Sequence, residues 1–213
     1  MTIHWKDTEM MLCPEKAIFL PQSSTLLVAD THLGKSEHFR KNGIGIPLGS
    51  SDETLVRLDQ VIQRYDVKQV YFLGDLFHSS VNEAWTSFLT WMDGRPEQEF
   101  VLIQGNHDIL PSYLYDRSRL QVVPRLMLEN LILTHEPERP SDAHTLNIHG
   151  HIHPGYTLRG KGRQRLTLPC YHWRAQQLTL PAFGAFTGLA PITQEKEDQI
   201  FVVTETSVIR AHP

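Results

Sequence analysis

Cysteine is nearly absent. The chain has 2 in 213 residues, Cys13 and Cys170, with no CxxC pair, which excludes a disulfide framework and a thiolate zinc site. Both read as small buried hydrophobes. Long apolar runs are missing as well. No segment reaches the length needed to cross a bilayer, and Met1 to Glu9 carries Lys6, Asp7 and Glu9 where a signal peptide would need unbroken apolar sequence. A cytoplasmic protein with no membrane partner is expected. Internal repeats and low-complexity tracts are lacking, and neither sign of charge dominates: 20 Lys+Arg stand against 24 Asp+Glu, a net charge of −4. Bulk charge thus gives no sign of a basic nucleic-acid protein. The acidic excess lies in 1–150, with 13 Lys/Arg against 20 Asp/Glu, while 151–213 carry 7 against 4. Two divalent cations among the acidic residues would bring the formal total to zero.

What the chain does have is histidine, 12 residues of it, and six of these fall inside short motifs. The central stretch is Val70-Tyr71-Phe72-Leu73-Gly74-Asp75-Leu76-Phe77-His78, an apolar and β-branched run that ends abruptly in Gly-Asp. It reads as a buried strand that delivers a carboxylate. Three other runs share the design: 26–29 leads into Asp30-Thr31-His32, 100–103 into Gly105-Asn106-His107-Asp108, and 131–133 into Thr134-His135. In an α/β sheet, ligands bind beyond the carboxyl ends of the strands, so these runs converge their Asp, His and Asn side chains. Gly150-His151-Ile152-His153 adds a fifth block.

The elements between the blocks follow from pattern. Strands at 17–20 and 26–29 flank a turn-prone Pro21-Gln22-Ser23-Ser24. The stretch 33–49, with Lys35, Arg40 and Lys41, reads as a long loop beside the site. Leu55, Leu58, Val61, Ile62 and Tyr65 form a helical stripe behind a Ser50/Glu53 capping box, and Trp85, Phe88, Leu89 and Met92 form a second, ended by Asp93-Gly94-Arg95-Pro96. Hairpins are expected at 122–134, turned at Glu129-Asn130, at 156–168 around Gly160-Lys161-Gly162-Arg163, and at 200–209. The length fits one domain over 1–213, with a motif core at 30–153 and C-terminal strands and hairpins at 154–213.

Carboxylate, imidazole and one neutral amide make a borderline-hard donor set without thiolate, suited to manganese, iron or zinc. A carboxylate such as Asp75 offers one oxygen to each of two cations about 3.5–4 Å apart, and a water bridging such a pair becomes hydroxide near neutral pH. That species attacks phosphorus in line.

The five blocks, in this order, resemble the motif set of the calcineurin-like metallophosphoesterase superfamily across 30–153. The resemblance implies a fold of two facing mixed sheets flanked by helices, a four-layer α/β sandwich. It implies one ion on Asp30, His32 and His153, a second on Asn106, His135 and His151, and Asp75 bridging them. His107 is then the acid at the leaving oxygen, with Asp108 accepting its other ring proton. The Gly-Asp-Leu-Phe-His form departs from the common GDxxD pattern and resembles SbcD-type repair nucleases, which implies that His78 positions the phosphodiester; alternatively, His78 caps the turn after Asp75. Residues 159–163, 168–170 and 180–188 resemble the DNA ligase-associated phosphoesterase family called PdeM. That likeness implies an endonuclease on DNA or RNA in repair, with a ligase, a helicase and a second nuclease as partners. A small-molecule phosphatase, a cyclic-nucleotide phosphodiesterase or a non-catalytic scaffold are the rival readings. Arg159, Lys161, Arg163 and Arg165 lie two apart, which on an extended arm puts them on one face, either to track phosphates or to guard an edge strand.

Overall fold

A computed structural model describes residues 1–35, 50–78, 83–185 and 187–211. Most of the expected loop at 33–49, with Arg40 and Lys41, lies outside the described residues, as does the Ser50 side chain.

The first sheet opens with an antiparallel meander of β1 (Thr2–Trp5), β2 (Thr8–Leu12), β3 (Ala17–Leu20) and β4 (Thr25–Val28). It continues in parallel through β5 (Gln69–Leu73), β6 (Glu99–Ile103) and β7 (Leu120–Val123). Helix α1 (Ser50–Tyr65) crosses from β4 to β5, and α2 (Glu83–Asp93) from β5 to β6. A short α3 (Ser112–Asp116) precedes β7. The second sheet contains β8 (Leu126–Leu128), β9 (Leu131–Thr134), β10 (Leu146–His149), β11 (Pro154–Arg159), β12 (Arg165–Arg174) and β13 (Gln177–Thr179). The two-residue β14 (Ala190–Pro191) flanks β11, while β15 (Gln199–Val203) pairs with β12 and carries β16 (Val208–Arg210). Both sheets are mixed, since β10 runs parallel to β9 and β13 whereas β11, β12 and β13 alternate in direction.

Strand alternation explains why two cores form. Leu26, Val28, Val70, Phe72, Phe100 and Leu102 face the helices, against Leu58, Val61, Phe88 and Met92. Their neighbours Leu27, Ala29, Tyr71, Leu73, Val101 and Ile103 face the second sheet, against Leu133, Ile148, Leu178 and Phe201. The stripes read from α1 and α2 therefore pack as their spacing requires. A smaller core of Cys170, Ile200 and Val202, joined by Tyr156 and Leu168, occupies the outer face of the second sheet in place of a helix among the described residues. Both cysteines are free and buried.

The hairpin expected over 122–134 is shorter. Val122 and Val123 end β7 in the first sheet, Pro124 and Arg125 cross over, and only β8 and β9 form the hairpin, with Leu128 opposite Leu131. Proline has no N–H for a ladder, so the strand breaks there.

Phe88 lies at the crossing of the first core, edge-on to Phe72 and Phe77 and stacked near Trp91. Phe88→Ala is expected to lower stability by about 3–5 kcal/mol in urea denaturation, with Phe88→Leu costing well under half of that. Equal losses would show that ring volume at this crossing is not what is being measured.

Candidate metal centre

The carboxyl ends of β4, β5 and β6 lie side by side in the first sheet, and the segments after β9 and β10 of the second sheet close the ring. Asp30 and Asp75 are buried, at 0% and 3% exposure, and so are His32 and His135. One ligand atom from each of Asp30, His32 and His153 lies within 4.8 Å of the others, and the same holds for Asp75, His135 and His151. Asp75 stands between the groups, with Oδ2 3.9 Å from His32 Nε2 and Oδ1 3.4 Å from His135 Nε2. Asn106 reaches the second group, its Oδ1 3.0 Å from His135 Nε2.

The backbone bends sharply to make this possible. Asp30, His32, Asp75, His151 and His153 all have positive φ, between 46° and 68°. Each such residue costs of order 1–3 kcal/mol and persists only where its surroundings enforce it. Here they do: the backbone N–H groups of Asp30, His32 and Leu33 donate to the carbonyls of Gly74, Asp75 and Leu76, and Thr31 Oγ1 donates to Leu76 as well. Gly184 in the tail donates to Asp30 O, and a Cβ on it would sit 2.6 Å from Thr31 O. The motif glycines make room for the ligands. A Cβ on Gly74 would lie 2.2 Å from His135 Nδ1, one on Gly105 would lie 2.4 Å from Asp75 Oδ1, and one on Gly150 would lie 2.5 Å from Asp30 Oδ2.

Hydrogen bonding fixes the donor atoms. A carbonyl only accepts, so the 2.9 Å contact between His135 Nδ1 and Leu73 O puts a proton on Nδ1 and turns Nε2 toward the second group. Nε2 lies beside Asn106 Oδ1, Asp75 Oδ1 and, at 3.1 Å, His151 Nδ1. In the first group, neither nitrogen of buried His32 has a hydrogen-bond partner among the described residues, nor does His153 Nε2, although it lies 3.3 Å from Asp30 Oδ1. Burial, reinforced by Lys35, His153, His78 and His107, holds the His32 ring down at about 2, hence neutral. A buried neutral imidazole beside carboxylates, as His32 is, offers the lone pair that a divalent cation requires. The residues present fit a pair of ions.

His78 and His107 lie on the open side of His32, their ring centroids each 5.7 Å from it and 6.0 Å from one another. The His107 backbone N–H donates to Asp75 Oδ1 at 2.9 Å. Asp108 departs from expectation. Its buried carboxylate accepts the backbone N–H groups of Leu76, Phe77 and Gly105, and no bond to the His107 ring is among its contacts. It clamps the 105–108 loop to the Asp75 turn. Burial pushes its carboxyl up to about 6, against the pull of those N–H groups. His149 is buried too: Nδ1 donates to Gly150 O, and Nε2 accepts from Thr179.

The basic residues are not in the ligand ring, nor do they share an extended face. Arg159 and Arg165 are directly opposite on β11 and β12, but Lys161 and Arg163 occupy a turn closed by Gly160 N–H donating to Gln164 O. Positive φ at Gly162 and Arg163 interrupts the alternation that the two-residue spacing implied. A groove of about 520 Å³, which no sequence motif signalled, opens beside Asn106 and His135 and is lined by Gln104, Arg125 and Glu138.

Fold and site together define a metallophosphoesterase. The chain belongs to the calcineurin-like phosphoesterase family, whose model matches residues 23–203. It is similar to the nuclease MPE of Pseudomonas putida, at 30% identity over 99% of each chain with a TM-score of 0.78. More distant are AQ665 of Aquifex aeolicus (19% identity, 65% of this chain and 82% of that one, TM-score 0.41) and the E. coli phosphoesterase Yfce (12%, 88% and 97%, TM-score 0.46). No curated protein matches the chain.

Gly150→Ala is expected to displace Asp30 and reduce binding at the first ion group, read by calorimetric titration with manganese as loss of one of two binding events. Two intact events would show that the Asp30 carboxylate is not confined by this backbone.

Proposed function

We propose that the protein is a dinuclear metal-dependent phosphodiesterase that cleaves nucleic-acid strands, DNA in the first place. The observation that carries the reading is the convergence of two ligand groups on the shared Asp75 carboxylate. The nuclease reading draws on the likeness to the P. putida nuclease over almost the whole chain. Asp30, His32 and His153 would hold one ion and Asn106, His135 and His151 the other, with Asp75 placed between the two groups. Manganese suits this mixture of carboxylate, imidazole and amide donors, and iron or zinc fit the same set. When bound, such a pair supplies charge stabilisation to phosphoryl oxygens and acidifies water near neutral pH.

The protein's own groups do the rest. His107 carries an exposed ring above a backbone tied to Asp75, so it reaches substrate from a fixed base and gives a proton to the departing oxygen. Asp108 is a positioning residue: by tying Gly105 to Leu76 and Phe77 it sets where that ring stands. His78, nearly parallel to His107, contacts the phosphodiester. This reading treats 1–213 as one catalytic domain, with 154–213 completing the second sheet. No helix among the described residues is long and apolar enough to cross a membrane, and we assign a cytoplasmic role in DNA repair. A ligase, a helicase and a second nuclease are the partners that the motif likeness suggests.

Manganese-loaded protein should hydrolyse single-stranded, gapped or duplex DNA, and Asp75→Asn should abolish this. In His107→Asn the metal content should stay unchanged while turnover falls by about 10²–10⁴. Activity confined to phosphomonoesters or cyclic nucleotides would replace the nuclease with a small-molecule phosphatase. Bound metal with no hydrolysis of any ester would leave a scaffold.

A further inference from the structure

The strand β11 leaves the site directly at His153 and runs outward against β12. At its base Tyr156 opposes Leu168, and both pack on the third core. Thr157 then opposes Thr167, with the hydroxyls 2.8 Å apart, Leu158 opposes Leu166, and Arg159 opposes Arg165. Side chains alternate across a strand, so the hairpin has two faces. One carries the threonine and arginine pairs. The other continues the apolar stripe of Tyr156 and Leu168 beyond the core that covers it, leaving Leu158 40% and Leu166 57% exposed.

This construction works against the hairpin's own stability. Like charges directly opposite each other destabilise a strand pair, and a two-stranded ribbon has little to spare. Among the described residues none of Arg159, Lys161, Arg163 and Arg165 is in an ion pair, and no Asp or Glu occurs between Asp142 and Glu195. Guarding an edge strand accounts for scattered cations. It does not account for an opposed arginine pair, and an exposed leucine pair is what such guarding avoids. A polyanion relieves the arginine repulsion, and the leucines require apolar surface in the same partner. Stacked bases between phosphate strands provide both, and leucine is among the side chains that part base steps.

We propose that the 154–168 hairpin is a wedge for duplex ends and junctions. Leu158 and Leu166 unstack the first base step, while Arg159, Arg165, Lys161 and Arg163 hold the flanking phosphates. The freed strand is delivered along β11 to His153, a run of about 20 Å at about 3.3 Å per residue. The inference rests on the nuclease reading and makes it specific: forks, flaps and gaps are the substrates, rather than uninterrupted duplex.

The test is stopped-flow fluorescence of the full manganese-loaded protein mixed with a forked DNA carrying 2-aminopurine at the first paired position, read before cleavage. The expected result is a fluorescence rise with wild-type protein that is lost in Leu158→Ser/Leu166→Ser, a variant at two exposed positions whose folding is checked by circular dichroism. Arg159→Gln/Arg165→Gln should reduce the slope of log K against log salt by about 2. No rise with wild-type protein that still cleaves single strands would overturn the wedge and leave the nuclease standing. No cleavage of any polynucleotide would remove the reading beneath it. Binding to vesicles of anionic phosphatidylglycerol, lost in the leucine variant and without any effect on forked DNA, would assign the hairpin to a membrane surface and end the proposal.

Discussion

The buried carboxylate of Asp75 is the constraint on which the site depends. Taking a carboxylate out of water costs several kcal/mol unless charge and hydrogen bonds compensate. Asp75 is 3% exposed, accepts the His107 backbone N–H, and faces two imidazoles across its two oxygens. Asp30 repeats the arrangement, fully buried, with the His151 N–H bonded to its carboxylate. Burial holds His32 neutral beside them, and the Lys35 side chain interacts electrostatically with both Asp75 and Asp30. The two ligand groups, with Asp75 between them, fit a divalent cation in each.

Much else follows from placing that carboxylate. The residues at the ends of β4 and β5 adopt left-handed backbone, and reciprocal hydrogen bonds between the two turns hold them there. Asp108 adds a third tie by joining the β6 loop to the Asp75 turn, and the tail is latched onto Asp30 through Gly184. The site is thus rigid at its floor. Its exposed groups include His107 and the hairpin beyond His153.

The strands that bear the ligands were legible because each is an apolar run that stops at Gly, Asp or Thr, and both large helices were legible from their stripes. Other parts were not. The β1–β2 hairpin is short and half-exposed, so its residues carry no clear period. In β10, Asn147 and His149 interrupt the apolar pattern although the strand is fully buried; Asn147 is satisfied by Ile132, Thr134 and the Glu138 N–H, contacts made only in the folded sheet. The grouping of ligands was what the family resemblance implied, but their left-handed backbone was not legible, because nothing in a residue's type states its φ. The contacts of Asp108 were not legible either: the resemblance implied a side-chain pair with His107, whereas Oδ1 accepts backbone donors from the Asp75 turn and Oδ2 one from its own loop.

The most direct test of a shared carboxylate between two ions is electron paramagnetic resonance of the manganese-titrated protein alongside its metal content. The account predicts two manganese per chain with an exchange-coupled spectrum, which Asp75→Asn converts to the signal of isolated ions. A single bound manganese, or two that remain uncoupled in the wild-type protein, would contradict it.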